Sequence, residues 1–364
     1  MILEVPTGIH GPEKPRATSK SWIRILIVLA AAAWGVTIVL TAGTRIYQPL
    51  THFTRDFDQV HFAALAMRDG LNPYSVVGPG RLFEWPWLLY YPLPAMVVAL
   101  PFTVAPVLAA RAAFFGLSSA LLAYVLTRDG YHRLVVFASM AYLYSGVLAQ
   151  WEVLLTASAL LPFAGFVLAA KPNIGLALLA AYPSLKTIVG VLMIVVVTLF
   201  IVPTWPAEWL TLVRSTSDMD PLIMYPGGLF LLLALLRWRR PEARLIAVLA
   251  CIPHTTMPYA LIPLFLIPAS LTEGLILAWS TWLAKTVVDL SFHHASYSEF
   301  ISNSTTVAVP LVYLPALVMV LRRPNEGELP AWLVKSAQAL IPGRRGRNNA
   351  VPNGTSHAGE GTRE

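Results

Sequence analysis

The sequence predicts an all-α membrane protein with about ten transmembrane helices. Of its 364 residues, 56% are hydrophobic and only 12% are charged, and the mean hydropathy is +0.63. A soluble domain carries roughly 25% charged residues, so half that share cannot cover the surface of a water-soluble chain of this length. Apolar stretches near the ~20 residues of a bilayer-spanning helix recur along it. This pattern excludes a soluble enzyme, a disordered chain and a coiled coil.

The first predicted span covers residues 22–41. Basic residues stand before it or at its start: Lys14, Arg16, Lys20 and Arg24. Because Lys and Arg are retained on the cytoplasmic side, residues 1–21 are predicted to form a cytoplasmic segment. The apolar run is longer than a signal-peptide core, and no small-residue cleavage site follows it. The first span is therefore expected to stay uncleaved.

The remaining spans of a transmembrane domain at 22–321 are predicted from the other apolar runs: 108–127, 134–149, 153–169, 187–202, 222–236, 244–257, 258–268, 274–290 and 305–321. This assignment places one set of basic residues on the cytoplasmic side: Arg128, Arg133, Lys171, Lys186, the run 237–240, Arg322 and Arg323. It requires that the proline-rich stretch 91–105 does not cross the bilayer, and we expect a re-entrant or interfacial element there.

The C-terminal segment 322–364 is polar and rich in Gly, Asn and Pro, which predicts a disordered cytoplasmic tail. The net charge of +7 follows from the topology, and nothing in the sequence indicates nucleic-acid binding. The single Cys251 excludes an intramolecular disulfide and a Cys-based metal site. Adjacent His293 and His294 with Glu299 lack a metal-binding spacing, so no metal is predicted.

The first extracytoplasmic loop, residues 42–107, is unusually long for a loop without a function. Phe57, Val60, Ala64 and Met67 recur at helical spacing, which predicts an amphipathic helix on the membrane surface. Aromatic residues then follow at 83–91. Such rings are typical of the membrane interface, and they can also stack against sugar faces.

Charged residues cluster where this helix begins, at Arg55, Asp56 and Asp58. Two interpretations stay open. Two carboxylates beside a guanidinium suit acid–base or metal chemistry. Alternatively, Asp56 and Gln59 form a capping box, and Asp58 interacts with the helix dipole.

Three motifs of this loop resemble one enzyme family: Asp-Phe-Asp at 56–58, Gly-Leu-Asn-Pro-Tyr at 70–74 and Tyr-Pro-Leu-Pro at 91–94. Later segments add to the likeness: Gln150 after Ala149, where the family has Gly, then Lys171-Pro172, and Pro253-His254 with Tyr259. The chain resembles glycosyltransferase family 87, the polyprenyl-phosphate-sugar-dependent mannosyltransferases of the GT-C superfamily. The resemblance is strongest over residues 50–110.

The resemblance implies a GT-C-like fold and a sugar-transfer reaction. A hexose, mannose in this family, would pass with inversion from a polyprenyl-phosphate carrier to a glycolipid or glycan acceptor on the extracytoplasmic side. An acidic residue of the first loop would be the general base, which corresponds to Asp56, with Asp58 as second choice. Neither a cofactor nor a sugar nucleotide is implied.

The chemistry agrees with this assignment, because an acceptor hydroxyl needs a carboxylate to take its proton and the leaving phosphate needs a cation or other donor. Candidates for substrate binding are Arg55, Tyr91, Gln150, Glu152, His254 and Lys285. Lys285 could instead pair with Asp289 on its own helix. Lys171 is read as a positive-inside anchor.

Two other functions remain possible. A transporter or flippase of lipid-linked sugar would also need a membrane bundle, although transporters usually show two repeated halves, which are not detectable here. A non-catalytic relative that only binds lipid-linked sugar is the second alternative, and it depends on the capping-box interpretation of Asp56.

Overall fold

The computed structural model describes residues 21–42, 55–215, 220–294, 296–327 and 329–334. The basic residues that precede the first span, the start of the first loop and most of the predicted tail lie outside these ranges. The chain divides into two compact units, Met1–Glu326 and Gly327–Glu364. In the second unit, the only described residues are 327 and 329–334, which include one short helical turn at 331–334.

The described part of the first unit is mostly helical, which agrees with the all-α prediction. Its α-helices are α1 (Ser21–Ala42), α2 (Asp56–Arg68), α3 (Pro73–Val76), α4 (Leu93–Ala99), α5 (Val107–Leu126), α6 (Met140–Leu148), α7 (Glu152–Ala159), α8 (Pro172–Ala181), α9 (Leu185–Ile201), α10 (Trp205–Arg214), α11 (Pro241–Cys251), α12 (Leu271–Ser291), α13 (Tyr297–Ala308) and α14 (Leu314–Leu321). Two short strands, β1 (Val77–Gly78) and β2 (Phe83–Glu84), pair in parallel.

Tight 3-10 segments lie between these helices: Leu100–Val104, His132–Ala138, Pro162–Ala170, Leu222–Met224, Gly228–Arg237 and Pro258–Leu266. A π-helical stretch, Val309–Tyr313, joins α13 to α14. Several of the new segments begin at a proline, as at Pro162, Pro172, Pro241 and Pro258. Proline has no backbone N–H to donate, so it is tolerated at the start of a helix and interrupts the interior.

Three described helical stretches are long and apolar enough to cross a membrane: Ser21–Thr41, Val107–Leu126 and Tyr297–Leu321. A fourth is possible if α9 and α10, bent by 103° at their junction, count as one span. The predicted spans 22–41, 108–127 and 305–321 therefore correspond to uninterrupted helices. Single long helices do not account for about ten spans, because predicted spans such as 134–149 and 153–169 are each broken into two shorter segments.

Close packing of small residues joins α1 to α5. A Cβ atom added at Gly35 would lie 2.5 Å from the Ser119 hydroxyl, and one added at Gly116 would lie 2.7 Å from the Val36 side chain. A Cβ atom added at Gly146 of α6 would likewise lie 2.6 Å from the Ile38 side chain of α1. Small residues at such crossings let helix backbones approach in lipid, where dispersion contacts replace the hydrophobic effect as the force for association.

Helix α2 is buried in the bundle, so the prediction of a helix lying on the membrane surface is wrong. Phe57, Val60 and Ala63 are fully buried, and so are several polar residues of the same helix. The Phe57 ring stacks on Phe114 of α5 with 4.4 Å between ring centroids and meets Phe102 edge to face. The apolar face of α2, which predicts contact with lipid, instead packs against α4, α5 and the 3-10 segment that follows α4.

The segment 152–171 leaves one polar cluster and returns to it. Lys171 Nζ lies 2.6 Å from Glu152 Oε1, so the two ends of the segment meet. Helix α7 has eight residues, about 12 Å at the α-helical rise, against a hydrocarbon core of roughly 30 Å. The segment is therefore a hairpin, and the prediction that 153–169 crosses, with Lys171 on the opposite side from Glu152, is wrong. The charge rule does not detect a lysine held by a buried carboxylate.

A second polar cluster lies at the other ends of the helices. Arg323 pairs with Glu242 and Glu273, and the Arg237 guanidinium donates to the Arg323 carbonyl. Arg133 donates to the carbonyl of Pro268. Residues 322–326 thus belong to the first unit, and the second unit begins five residues later than the predicted start of the tail.

Cysteine labelling tests the hairpin. In a Cys251→Ser background, we expect Pro172→Cys to react with a membrane-impermeant maleimide from the same side as Leu82→Cys, because Lys171 contacts the groups around Asp56. Asp129→Cys, at the far end of α5, should react from the opposite side. Labelling of Pro172→Cys together with Asp129→Cys would contradict the hairpin and restore the predicted crossing at 153–169.

Candidate active site

Helix α2 begins at Asp56 without a side-chain cap. Arg55 precedes it in an extended conformation, and no side-chain cap bond forms at this helix end. The predicted capping box is absent, because the Gln59 amide donates instead to the carbonyl oxygens of Trp87 and Leu88, at 3.2 and 2.9 Å. The structural explanation for Asp56 is therefore wrong, and its carboxylate is available for other contacts.

The Asp56 carboxylate accepts two side-chain hydrogen bonds. Its Oδ2 lies 2.6 Å from the Gln150 amide nitrogen and 3.1 Å from the Tyr91 hydroxyl. The side chain is partly exposed. Burial raises the pKa of Asp56 above its ordinary value, while Lys171 and the two hydrogen bonds act to lower it. The result is a carboxylate that is more basic than one on the protein surface.

A strained turn between α6 and α7 places Gln150 at this carboxylate. Ala149 ends α6 with φ of 49°, in the left-handed region that favours glycine, and the Gln150 N–H donates to the Ser145 carbonyl at 2.8 Å. Trp151 is fully buried, with its ring 5.0 Å from that of Phe114. The buried ring anchors the turn on α5, and the residues on either side of it reach the site.

Lys171 extends the network to a second carboxylate. Its ammonium lies 2.6 Å from Glu152 Oε1 and 3.5 Å from the Gln150 side-chain oxygen, and 5.0 Å from the centre of the Tyr259 ring. Gln150 thus donates to Asp56 and accepts from Lys171. Oε2 of Glu152 is buried and has no hydrogen-bond partner among the described residues.

Asp58 has a different partner from Asp56. It forms a forked pair with Arg111 of α5, in which Nε donates to Oδ1 at 2.8 Å and Nη2 donates to Oδ2. Both side chains are buried. Burial raises the pKa of Asp58, and Arg55 opposes that rise. Arg111 acts in the same direction as Arg55, because a guanidinium in contact favours the charged carboxylate.

Sequence reasoning missed Arg111, although a signal was present. An ionisable residue inside a predicted membrane span is a functional candidate by default, and Arg111 lies within 108–127. Lys171, predicted to be a positive-inside anchor, pairs with the buried Glu152. The contacts of both residues are with carboxylates distant in sequence, which no local pattern reveals.

Helix α10 holds the loop that carries Tyr91. Glu208 accepts from the Asn72 amide at 3.0 and 3.1 Å, and the Trp209 indole N–H donates to the Tyr90 carbonyl at 2.8 Å. Asn72 also caps α3. The Tyr74 hydroxyl, in turn, donates to the Tyr91 carbonyl at 3.0 Å. These bonds fix the backbone on both sides of the Tyr91 ring.

The predicted site residues fall into three groups. Asp56, Tyr91, Gln150 and Glu152 come together in one network, and half-buried Arg55 and buried Asp58 share the first turn of α2. His254 is buried, with its Nε2 3.3 Å from the Tyr313 hydroxyl.

Lys285 pairs with Asp289, four residues along its own helix, and lies 5.9 Å from the Tyr144 ring centre. Both His254 and Lys285 are thus engaged by groups outside the Asp56 network. Within the described ranges, no three His, Cys, Asp or Glu side chains form a group that could hold a metal ion.

No family model, no curated protein and no solved structure matches the chain. The resemblance to glycosyltransferase family 87 stays a prediction from motifs, and the function is argued from the geometry of the site.

The Asp58–Arg111 pair is expected to carry much of the local stability. Asp58→Asn or Arg111→Met leaves one buried charge unpaired, and each should cost roughly 3–5 kcal/mol of unfolding free energy. The double variant should recover part of the loss. Thermal unfolding in detergent measures this, with Asp69→Asn as control, because the exposed Arg68–Asp69 pair is worth at most about 1 kcal/mol. Equal effects of Asp58→Asn and Asp69→Asn would refute the assignment.

Proposed function

We propose that this protein is an inverting membrane glycosyltransferase that moves a hexose from a polyprenyl-phosphate carrier to a glycolipid or glycan acceptor. The observation that carries the proposal is the environment of Asp56: a partly exposed carboxylate of raised pKa, oriented by Gln150 and Tyr91, with a lysine two contacts away. The motif resemblance supplies the donor class and mannose as the sugar.

In the proposed reaction, Asp56 takes the proton from the acceptor hydroxyl. The oxygen then bonds to C1 of the sugar as the bond from C1 to the carrier phosphate breaks, and the phosphate leaves with the electron pair. A raised pKa brings the base closer to neutral pH, where proton transfer by a carboxylate is most effective. The Gln150 amide and Tyr91 hydroxyl both donate to one oxygen, Oδ2, which leaves Oδ1 for the acceptor.

Lys171 is the proposed partner of the leaving phosphate. Negative charge grows on that phosphate during transfer, and a preorganised cation nearby stabilises it. Glu152 holds the ammonium in place, and the Tyr259 ring lies against it. Arg55, beside Asp56 at the start of α2, is the second cation available. These contacts favour Lys171 over His254 and Lys285, whose partners lie elsewhere.

Asp56 is favoured over Asp58 as the base because Asp58 is already paired. Removing Asp58 from Arg111 would leave two buried charges uncompensated. A non-catalytic relative would require that Asp56 and Gln59 form a capping box. The Gln59 amide donates instead to the carbonyls of Trp87 and Leu88, so that argument loses its support.

We further infer a topology from the two polar clusters. The chain would pass between the Asp56 cluster and the Arg323 cluster, and the whole segment 172–186, which is α8 followed by the non-helical residues before α9 and the first turn of α9, would connect them in place of 153–169. The hydrogen bonds of Arg244 support this, since its guanidinium donates to the carbonyls of Ala180 and Ala181 at the end of α8. The Asp56 cluster would then be extracytoplasmic and the basic cluster cytoplasmic, as the charge rule requires.

Asp56→Asn tests the base directly. The amide keeps the shape of the side chain and cannot accept the proton, so transfer from a polyprenyl-phosphate sugar should fall about 10²–10⁴-fold. Turnover of labelled donor by purified protein with a panel of acceptors measures this, and Asp69→Asn at the exposed end of α2 is the matched control. Full turnover by Asp56→Asn would refute the mechanism. Translocation of intact carrier without transfer would favour the flippase alternative.

The pH dependence should follow the ionisation of Asp56. Only the deprotonated form accepts a proton, so the rate should fall as pH drops through the raised pKa of this carboxylate. Gln150→Leu and Tyr91→Phe each remove a donor that lowers the pKa, so the acid limb of the rate profile should move to higher pH, more for Gln150. An acid limb that stays in place in both variants, as in Asp69→Asn, would show that another group titrates.

A further inference from the structure

An exposed aromatic pair lies beside the Asp56 network. The rings of Trp87 and Tyr297 have centroids 5.3 Å apart and are tilted by 39°. They are 43% and 38% exposed, whereas the aromatic residues closer to Asp56 are buried. Two large rings held together and left open to the surroundings present a surface of fixed shape, which we call the aromatic platform.

Both rings of the platform are tied to the site. The Trp87 carbonyl accepts from Gln59, which is three residues after Asp56 on α2. The Tyr297 hydroxyl is hydrogen-bonded to Tyr259, whose ring lies against the Lys171 ammonium. A continuous set of contacts therefore links Asp56 to Gln150 and Lys171, then to Tyr259, Tyr297 and Trp87, and from Trp87 back to α2.

We propose that the aromatic platform binds a pyranose ring of the acceptor, by stacking against its C–H face while Asp56 accepts from one of its hydroxyls. The inference rests on the proposed function and specifies the acceptor as a sugar whose ring is accessible. The C–H face of a pyranose is apolar and packs on aromatic rings, and its hydroxyl edge requires hydrogen-bonding groups. The platform and the Asp56 network supply these two surfaces side by side.

The charge distribution separates acceptor from donor. The phosphate of the donor would be attracted to Lys171, which lies 5.0 Å from the centre of the Tyr259 ring, whereas the platform contacts Tyr259 through the Tyr297 hydroxyl. The side chains of Trp87 and Tyr297 carry no charge, so the platform suits an uncharged sugar. An interfacial anchor is the competing explanation for exposed aromatics, and it predicts no contact with sugar.

Saturation-transfer NMR with methyl α-mannopyranoside tests the platform on the full chain in lipid nanodiscs. We expect saturation of the ring C–H protons with the wild-type protein. Trp87→Ala and Tyr297→Ala should each weaken binding about two- to twelvefold, since stacking is worth about 0.5–1.5 kcal/mol. Trp87→Phe and Tyr297→Phe keep a ring and should retain most of the signal, which separates lost stacking from lost folding.

Trp279→Ala is the matched control, because this tryptophan is 71% exposed on α12 and belongs to neither the platform nor the Asp56 network. Absence of ring-proton saturation in the wild type, or equal binding by wild type, Trp87→Ala and Tyr297→Ala, overturns the inference.

The failure of this inference can be distinguished from the failure of the proposed function. If Asp56→Asn abolishes transfer while the platform variants bind sugar normally, only the platform is wrong. If the platform variants lose sugar binding while Asp56→Asn transfers at full rate, the mechanism is wrong and the platform stands.

Discussion

The forked pair between Asp58 and Arg111 is the constraint on which the candidate site depends. It joins the first turn of α2 to a helix long enough to cross the membrane, at a place where water cannot replace either partner. A charge left alone in such surroundings is costly, so the turn has one favourable position. With the turn fixed, the neighbouring Asp56 side chain faces Gln150, and Gln59 reaches the loop that carries Trp87. The two carboxylates therefore have different partners: Asp58 holds the backbone through Arg111, and Asp56 is left to accept from Gln150 and Tyr91.

Charge balance explains why the network contains an amide between its ionised groups. Asp56 and Glu152 are both acidic, and Lys171 is the cation in contact with the cluster. A lysine bonded directly to both would hold both ionised and lower the basicity of Asp56. Gln150 lies between Asp56 and Lys171, donating to one and accepting from the other. The ammonium therefore pairs with Glu152. Burial keeps the pKa of Asp56 raised, and Lys171, which does not contact this carboxylate directly, opposes that rise only in part.

The sequence predicts the parts of this protein that depend on local composition. Uninterrupted apolar runs identify α1 and α5 within two residues, and the motif resemblance singles out Asp56, Gln150 and Glu152 before their contact is known. Local composition does not predict contacts between segments that are distant in sequence. The partner of Gln59 is 28 residues away, that of Arg111 is 53 residues away, and the pairing of Lys171 with Glu152 reverses its predicted side. Prolines such as Pro162 start new segments inside runs whose hydropathy alone predicts a continuous span.

The left-handed conformation of Ala149 restricts which sequences can carry this site. A residue with a Cβ atom costs roughly 1–2 kcal/mol in that conformation, and branching at Cβ adds to the cost. Glycine and asparagine adopt it readily, whereas valine, isoleucine or threonine would force the turn open and separate the side chains on either side of Trp151. Backbone shape alone therefore limits position 149 to small or amide residues, although an alanine side chain forms no hydrogen bond in the Asp56 network. Substitutions at position 149 would therefore show whether the left-handed turn is retained.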